Sequence, residues 1–255
     1  MPRGIGIDGC RSGWAAVVIE DSLETAKLVL AANITGLWSQ LQPSSREDDL
    51  VFIDMPIGLP EGEHGNNNTH SARRSDADCR KLLPAKRKSS VFNTPTRQAT
   101  YSDTPSETNF AIVQKKLSKQ SENIIPKIRE VDLFIQANLQ KGGNQQPIEL
   151  IEESHPELNF QRFNANTPLA HNKKTKEGIA ERVEILQHAG IPASAIESML
   201  DGARANAVAK DDILDAAVLA LAAYSIASGI RTKLKVSPSE QYDHAGVLEM
   251  NISYC

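Results

Sequence analysis

Apolar and polar positions fall into blocks whose period changes along the chain. The opening predicts three short consecutive strands, Arg3 to Asp8, Trp14 to Glu20 and Lys27 to Asn33, each rich in Val, Ile, Leu or Ala and separated by turn residues. Gly9 through Gly13 supply the first turn. A short helix is expected over Thr35 to Leu41, with Thr35 as its cap and Leu37, Trp38 and Leu41 facing a core. Leu50 to Asp54 then predicts a fourth strand running into Met-Pro-Ile-Gly-Leu-Pro.

From Pro60 to Pro147 the texture changes to Asn-rich, Ser-rich and basic segments, which predict an insertion and not more sheet. Two helices are expected inside it. One opens on a capping box, Thr104-Pro105-Ser106-Glu107, and sets Phe110, Val113 and Leu117 on one face. The other begins after Pro126, carries Ile128, Val131, Phe134 and Ile135, and closes at Lys141-Gly142-Gly143. A strand returns at Pro147 to Glu153, and two helices separated by Gly190-Ile191-Pro192 follow, the first with Ile179, Val183 and Leu186 as its stripe. The last element, Lys210 to Ser228, is apolar on every face from Ala216 to Ala223 and is therefore a buried helix.

Composition narrows the class. With 40% apolar and 24% charged residues the chain is ordinarily globular, its element order is that of an α/β protein, and its 255 residues suffice for one large domain or two small ones. The run Ala216 to Ile230 is shorter than the ~20 residues of a membrane span, and the N-terminus lacks the apolar core of a secretory signal. A cytoplasmic protein with no membrane partner is the expectation. The three cysteines contain no CxxC pair, which suits a reducing compartment and argues against a zinc site. A net charge of -4 does not mark a nucleic-acid binder, yet seven basic residues against two acidic ones between Ser71 and Ser90 make that stretch locally basic.

Candidate chemistry lies with the acids. Asp8, Asp54, Glu153 and the group Asp211, Asp212 and Asp215 sit where an element begins or ends against apolar surroundings, a costly place for an unpartnered charge. If the strands pair, the carboxylates converge at one rim of the sheet, and Asp212 and Asp215, three apart, share one helix face. Carboxylates crowded together repel unless a hard divalent cation joins them, so Mg2+ or Mn2+, as one or two ions, is the expected cofactor. Such a centre suits phosphodiester cleavage. The bland alternatives are turn formation by Asp8 and Asp54, and helix capping by Asp211 and Asp212.

IGIDGCRSGW, VFIDMPIGLP, RRSDADCRKLLPAKRKSSVF, IPKIREVD, EESHPELNF and KDDILDAAVLALA, in this order, resemble domain-of-unknown-function family 429, described as predicted nucleases with an RNase H-like fold. The resemblance covers about Arg3 to Ala227 and implies a single domain over 1–255, a mixed five-stranded sheet flanked by helices, with a basic helical insertion at about 60–147 between the fourth and fifth strands. It also implies that Asp8, Asp54, Asp212 and Asp215 are metal ligands and that Glu153 is a further ligand or a group orienting a bound water. Ser12 stands where a glycine is common, and Leu83-Pro84-Ala85 lacks the usual glycine.

Arg11, Arg73, Arg80, Arg87, Ser89, Ser90 and Lys127 are candidate phosphate contacts, the arginines through forked guanidinium bonds. Lys127 alternatively pairs with Glu130 on its own helix. His155 is a candidate proton shuttle, with a local hydrogen-bonding role as its competitor. The expected function is metal-dependent hydrolysis of nucleic acid or a nucleotide. The rivals are an actin-like ATP-binding phosphotransferase, which Asp8-Gly9-Cys10-Arg11-Ser12-Gly13 would serve as a phosphate turn, and a non-catalytic nucleic-acid-binding module on the same fold.

Overall fold

The computed structural model describes residues 1–43, 49–61, 72–139, 150–238, 241–243 and 248–255. The chain divides into two compact units, one comprising Met1–Asp54, Lys141–Leu234 and Ser253–Cys255, the other Met55–Gln140 and Lys235–Ile252.

The first unit is built on a five-stranded mixed sheet of β1 (Arg3–Cys10), β2 (Gly13–Glu20), β3 (Ser22–Ala31), β4 (Asp49–Ile53) and β5 (Ile151–Glu153), in the order β3-β2-β1-β4-β5. β1, β2 and β3 form an antiparallel meander, and β4 and β5 run parallel to β1. β2 and β4 read as near-continuous apolar runs because they are interior strands covered by neighbours, whereas the edge strand β3 exposes Glu24 and Lys27. β1 continues to Cys10, two residues past its expected end, so the first turn is only Arg11-Ser12 and Asp8 is a strand residue, not a turn residue. Of the predicted strand Pro147 to Glu153, residues 147–149 lie outside the described residues, and the pairing begins at Ile151.

Helix α1 (Ile34–Leu41) starts one residue earlier than expected, because Asn33 and not Thr35 caps it by accepting from the Gly36 N–H at 2.8 Å. The helices that follow β5 are α6 (Pro156–Phe163), α7 (Lys176–His188), α8 (Ala193–Ala205) and α9 (Lys210–Ala227). α7 and α8 flank Gly190, whose φ of 105° suits only glycine at that helix-to-helix turn. Phe160, Leu186, Met199 and the alanine-rich α9 close one core with Ala15, Val17 and Ile19 of β2.

The face of the sheet that receives α9 is set by the pleat. Gly4, Gly6 and Asp8 alternate onto it, paired with Ile19, Val17 and Ala15 on β2 and, for the glycines, with Leu50 and Phe52 on β4. A Cβ on Gly4 would fall 2.2 Å from the Tyr224 nitrogen, and one on Gly6 would fall 2.1 Å from the Ala216 oxygen. Only glycine permits this approach of helix to strand.

The second unit contains α2 (Arg74–Leu82), a 3-10 turn at Lys88–Ser90, α3 (Arg97–Tyr101), α4 (Pro105–Val113) and α5 (Lys119–Leu139). The capping box does not form. Thr104 precedes α4 as expected but makes no side-chain cap bond, and its own N–H donates to the Ser102 hydroxyl at 3.0 Å. Nor does α4 present the expected stripe. Phe110 is exposed, Gln114 turns left-handed before Leu117 is reached, and the buried residue is Asn109, bonded to the Thr96 N–H and the Lys115 carbonyl.

α5 starts at Lys119, seven residues before Pro126. The proline removes one backbone donor without ending the helix, since Ile125, Ile128, Val131, Phe134 and Ile135 form one buried stripe across it. The expected closure at Lys141-Gly142-Gly143 lies outside the described residues. The unit also takes in a segment that the sequence does not assign to it. Gln241 accepts from the Arg74 N–H at 2.8 Å, and Arg97 bonds Asp243 at 3.1 Å as well as Asp132 at 2.6 Å and Glu61 at 2.9 Å.

Candidate functional site

β1 and β4 end side by side. The Asp54 N–H donates to the Ile7 carbonyl at 2.9 Å, which continues the Ile7–Ile53 register by one residue and sets Asp54 beside Asp8 on the adjacent strand, on the same face. Adjacent strands are ~4.8 Å apart. Along β1, Gly4 meets Ala220 and Tyr224, and Gly6 meets Ala216 and Leu219, so α9 runs antiparallel to the strand. Two strand residues advance ~6.7 Å and one helical turn ~5.4 Å, so the next rung pairs Asp8 with the turn that carries Asp212 and Asp215. These two acids lie four residues before Ala216 and Leu219.

Asp8 and Asp215 are buried, with 7% and 2% of their surface exposed, and Asp54 and Asp212 are half-buried. Burial, followed by the charges of Asp54 and Asp215, pushes the Asp8 carboxyl well above the ordinary range. Burial and Asp215 push Asp54 up to about 7. Burial and Asp211 push Asp212 up to about 6. Asp215 is also raised by burial, against the opposing pull of Lys173. Burial is thus the main cause for all four acids, and neighbouring carboxylates add to it at Asp8, Asp54 and Asp212.

The cation that faces these acids is one that the sequence reading passed over. Lys173 Nζ lies 2.6 Å from Asp215 Oδ2 and 3.9 Å from Asp211 Oδ2. Burial opposes its charge, but Asp215, Asp8 and Asp54 hold the ammonium above the usual lysine range. Its loop is tied down on both sides. Glu181 accepts from the Ala170 and His171 N–H groups at 2.7 and 3.0 Å, Asn172 Oδ1 accepts from the Lys174 N–H, and Thr175 caps α7 through the Gly178 N–H. A Cβ on Gly178 would fall 1.9 Å from the Asn172 oxygen, so this loop needs glycine on α7 to lie against the helix. The signal in the sequence was Lys173-Lys174 just before a helix start, where the dipole disfavours cations and an acidic partner is called for.

Asp211 and Asp212 occupy the first turn of α9, but the capping position is Ala209 and no side chain caps it. Glu153 is buried on β5 and pairs with Ile53, so the pleat directs it to the face opposite Asp8 and Asp54, although its charge still raises Asp54. His155 is buried at the N-terminus of α6, where its carbonyl accepts from Asn159. Glu157 forms an ion pair with the fully buried Arg182 and adds its charge to those acting on Asp54 and Asp215. Glu157 lies within the EESHPELNF segment but had no role assigned to it, and Arg182 did not stand out in the sequence.

Arg11 is exposed at the tip of the β1–β2 hairpin, beyond the same strand end as Asp8. The other candidate phosphate contacts belong to the second unit. Arg73 is 2% exposed and faces the Thr94 hydroxyl at 3.2 Å and Asp76 at 3.7 Å. Arg80 ties down the Val91 carbonyl and Asn93 at 2.8 and 2.7 Å. Ser90 donates to the Arg87 carbonyl at 2.7 Å, Ser89 is exposed, and Lys127 and Arg87 are half-buried. These contacts commit Arg73 and Arg80 to holding loops.

A model of proteins of unknown function, DUF429, matches residues 6–240. The chain belongs to this family. Comparisons with curated proteins and with solved structures find no match. The DUF429 match runs from within β1 to beyond α9 and therefore takes in every acid of the cluster.

A divalent ion can be tested against the cluster. Among the described residues, no three carboxylate, imidazole or thiolate groups stand close enough to enclose one as they are. The donor set nonetheless fits a hard cation, because all four side chains offer oxygen and Asp215 Oδ1 is buried with no hydrogen-bond partner among the described residues. Asp8, Asp54, Asp212 and Asp215 are the residues that would hold it.

Proposed function

We propose that this DUF429 protein is a divalent-metal-dependent phosphodiesterase acting on nucleic acid or a nucleotide, with Asp8, Asp54, Asp212 and Asp215 as ligands for Mg2+ or Mn2+. The observation that carries the reading is Asp215, a 2%-exposed carboxylate with one oxygen that has no hydrogen-bond partner among the described residues, beside Asp8 and Asp54, whose carboxyls are held above the ordinary range by burial first and then by neighbouring acids, Asp215 among them. Lys173 pairs with only one oxygen of Asp215, and a single ammonium does not balance four crowded carboxylates, so the cluster as a whole suits an added cation. The mixed sheet order, with the last helix laid antiparallel on β1, supports the RNase H-like reading of the fold.

Within this reading the bound ion supplies a water of lowered pKa and neutralises charge on the phosphoryl oxygens. Asp8 and Asp54 supply two anionic oxygens from rigid strand ends, and Asp212 and Asp215 supply two more from the first turns of α9. The backbone bond from Asp54 to Ile7 fixes the first pair, and the glycine contacts of β1 fix the second against it. Arg11, exposed past the end of β1, is a phosphate contact on the substrate.

The test is cleavage of single-stranded, double-stranded, branched and hybrid nucleic acids in Mg2+ and Mn2+ by wild type and Asp8→Asn. Metal-dependent cleavage by wild type alone is expected. A clean Asp8→Asn preparation that cuts as well as wild type would overturn the assignment.

A further inference from the structure

Lys173 stands where an added cation would have to go. Its ammonium lies 2.6 Å from Asp215 Oδ2, while the other oxygen of that carboxylate has no hydrogen-bond partner among the described residues. It is drawn in by the charges of Asp215, Asp8 and Asp54, three of the four proposed ligands. Its side chain keeps 34% exposure, so the stem has a path to solvent, whereas Asp215 at 2% has none.

We propose that Lys173 is a tethered counter-ion that holds the acidic cluster together before metal arrives, and that a divalent ion binds by displacing its ammonium from Asp215. The inference rests on the proposed metal-binding role of the cluster. Two positive charges cannot share one carboxylate pocket without repulsion, so ammonium and ion compete, and each weakens the other by the same factor. The exchange moves no proton and makes no bond. It carries the ammonium off Asp215 and into solvent. The loop is fixed by Glu181, Asn172 and Thr175, so only the four-carbon stem needs to move.

The role predicts an effect opposite to that of a merely supportive contact. Removing a support weakens metal binding or leaves it alone, whereas removing a competitor tightens it. Calorimetric titration of Mn2+ into wild type, Lys173→Met, Lys173→Arg and Asp8→Asn tests this in mildly alkaline buffer. Lys173→Met is expected to bind Mn2+ about tenfold more tightly than wild type, within the usual range for coupled sites. Lys173→Arg, which keeps the charge, is expected to bind no more tightly than wild type, and Asp8→Asn to bind weakly or not at all.

Equal or weaker binding by Lys173→Met, with wild type still binding, overturns the exchange and leaves the metal reading standing. No binding by either protein overturns the metal reading itself. Loss of the counter-ion also leaves the acids opposing one another, so Lys173→Met can be unstable without metal. Thermal unfolding with and without Mn2+ covers that case: a larger Mn2+-induced rise in Tm for Lys173→Met than for wild type supports the exchange, and no rise overturns it.

Discussion

Gly6 lies so close to α9 that a methyl group on it would fall 2.1 Å from the Ala216 carbonyl oxygen. The contact is backbone against backbone, so no rotamer change relieves it. Gly6→Ala is expected to lose about 2 kcal/mol or more, in line with overpacking elsewhere, and to move α9 away from β1. Because α9 carries Asp212 and Asp215, Mn2+ binding should fall together with stability. Urea unfolding and calorimetry on the same preparation check both, and a variant within about 0.5 kcal/mol of wild type contradicts the packing argument.

The acids set a pH dependence. Asp54 is raised to about 7 and Asp212 to about 6, so between the unfolded carboxylate value of 3.8 and these values the folded chain holds more protons than the unfolded one. Stability in metal-free buffer should therefore fall as pH rises through that window, the reverse of what a salt-bridged carboxylate contributes. Tm measured from acid to neutral pH with a chelator present should show the decline, and saturating Mn2+ should reduce it. A metal-free Tm that rises steadily to neutral pH would count against this charge arrangement.

Arg182 and Glu157 form a buried ion pair whose charges act on Asp215. Arg182→Met removes the guanidinium that faces Glu157 and is expected to cost about 3–5 kcal/mol. The double variant Arg182→Met/Glu157→Leu should recover much of that loss, since two apolar side chains need no charge compensation. Denaturant titration of both variants separates these outcomes. Equal losses for the single and double variants would place the energy in packing, including Arg182 over the Phe160 ring, and not in the pair.

In the second unit, Arg97 joins Glu61, Asp132 and Asp243, which come from three separate stretches of chain. Arg97→Lys preserves the charge but loses the fork that reaches three carboxylates. It is expected to destabilise that unit by about 1–3 kcal/mol, with faster proteolysis in the 235–252 segment as the first sign. Limited proteolysis followed by mass mapping gives the answer directly. Unchanged cleavage would mean that this segment is held by other contacts, such as that of Gln241 with Arg74.

The sequence carried much of the fold because several elements announce themselves locally. The runs in β1, β2 and β4, the all-apolar α9 and the carboxylates at their ends are visible in residue order alone. The extension of β1 past Asp8 was not visible, since Asp-Gly reads as turn chemistry until pairing with Gly13 and Trp14 is known. The capping box at Thr104 and the apolar face of α4 failed for a related reason. Ser102 captures the Thr104 N–H, and the inward face of α4 is organised around Asn109, a polar residue whose partners are chosen by tertiary contacts.

What the sequence by itself determined is which residues are strand, which helix must be buried and which acids are too expensive to leave without purpose. These follow from short-range periodicity and from the cost of burying charge. What only the tertiary structure decided is which groups meet: α9 on Gly4 and Gly6, Glu153 on the opposite side of the pleat, and Lys173 on Asp215 across 42 residues of chain. Such partners are selected by how whole elements pack, and no local pattern of apolar and polar positions encodes that choice.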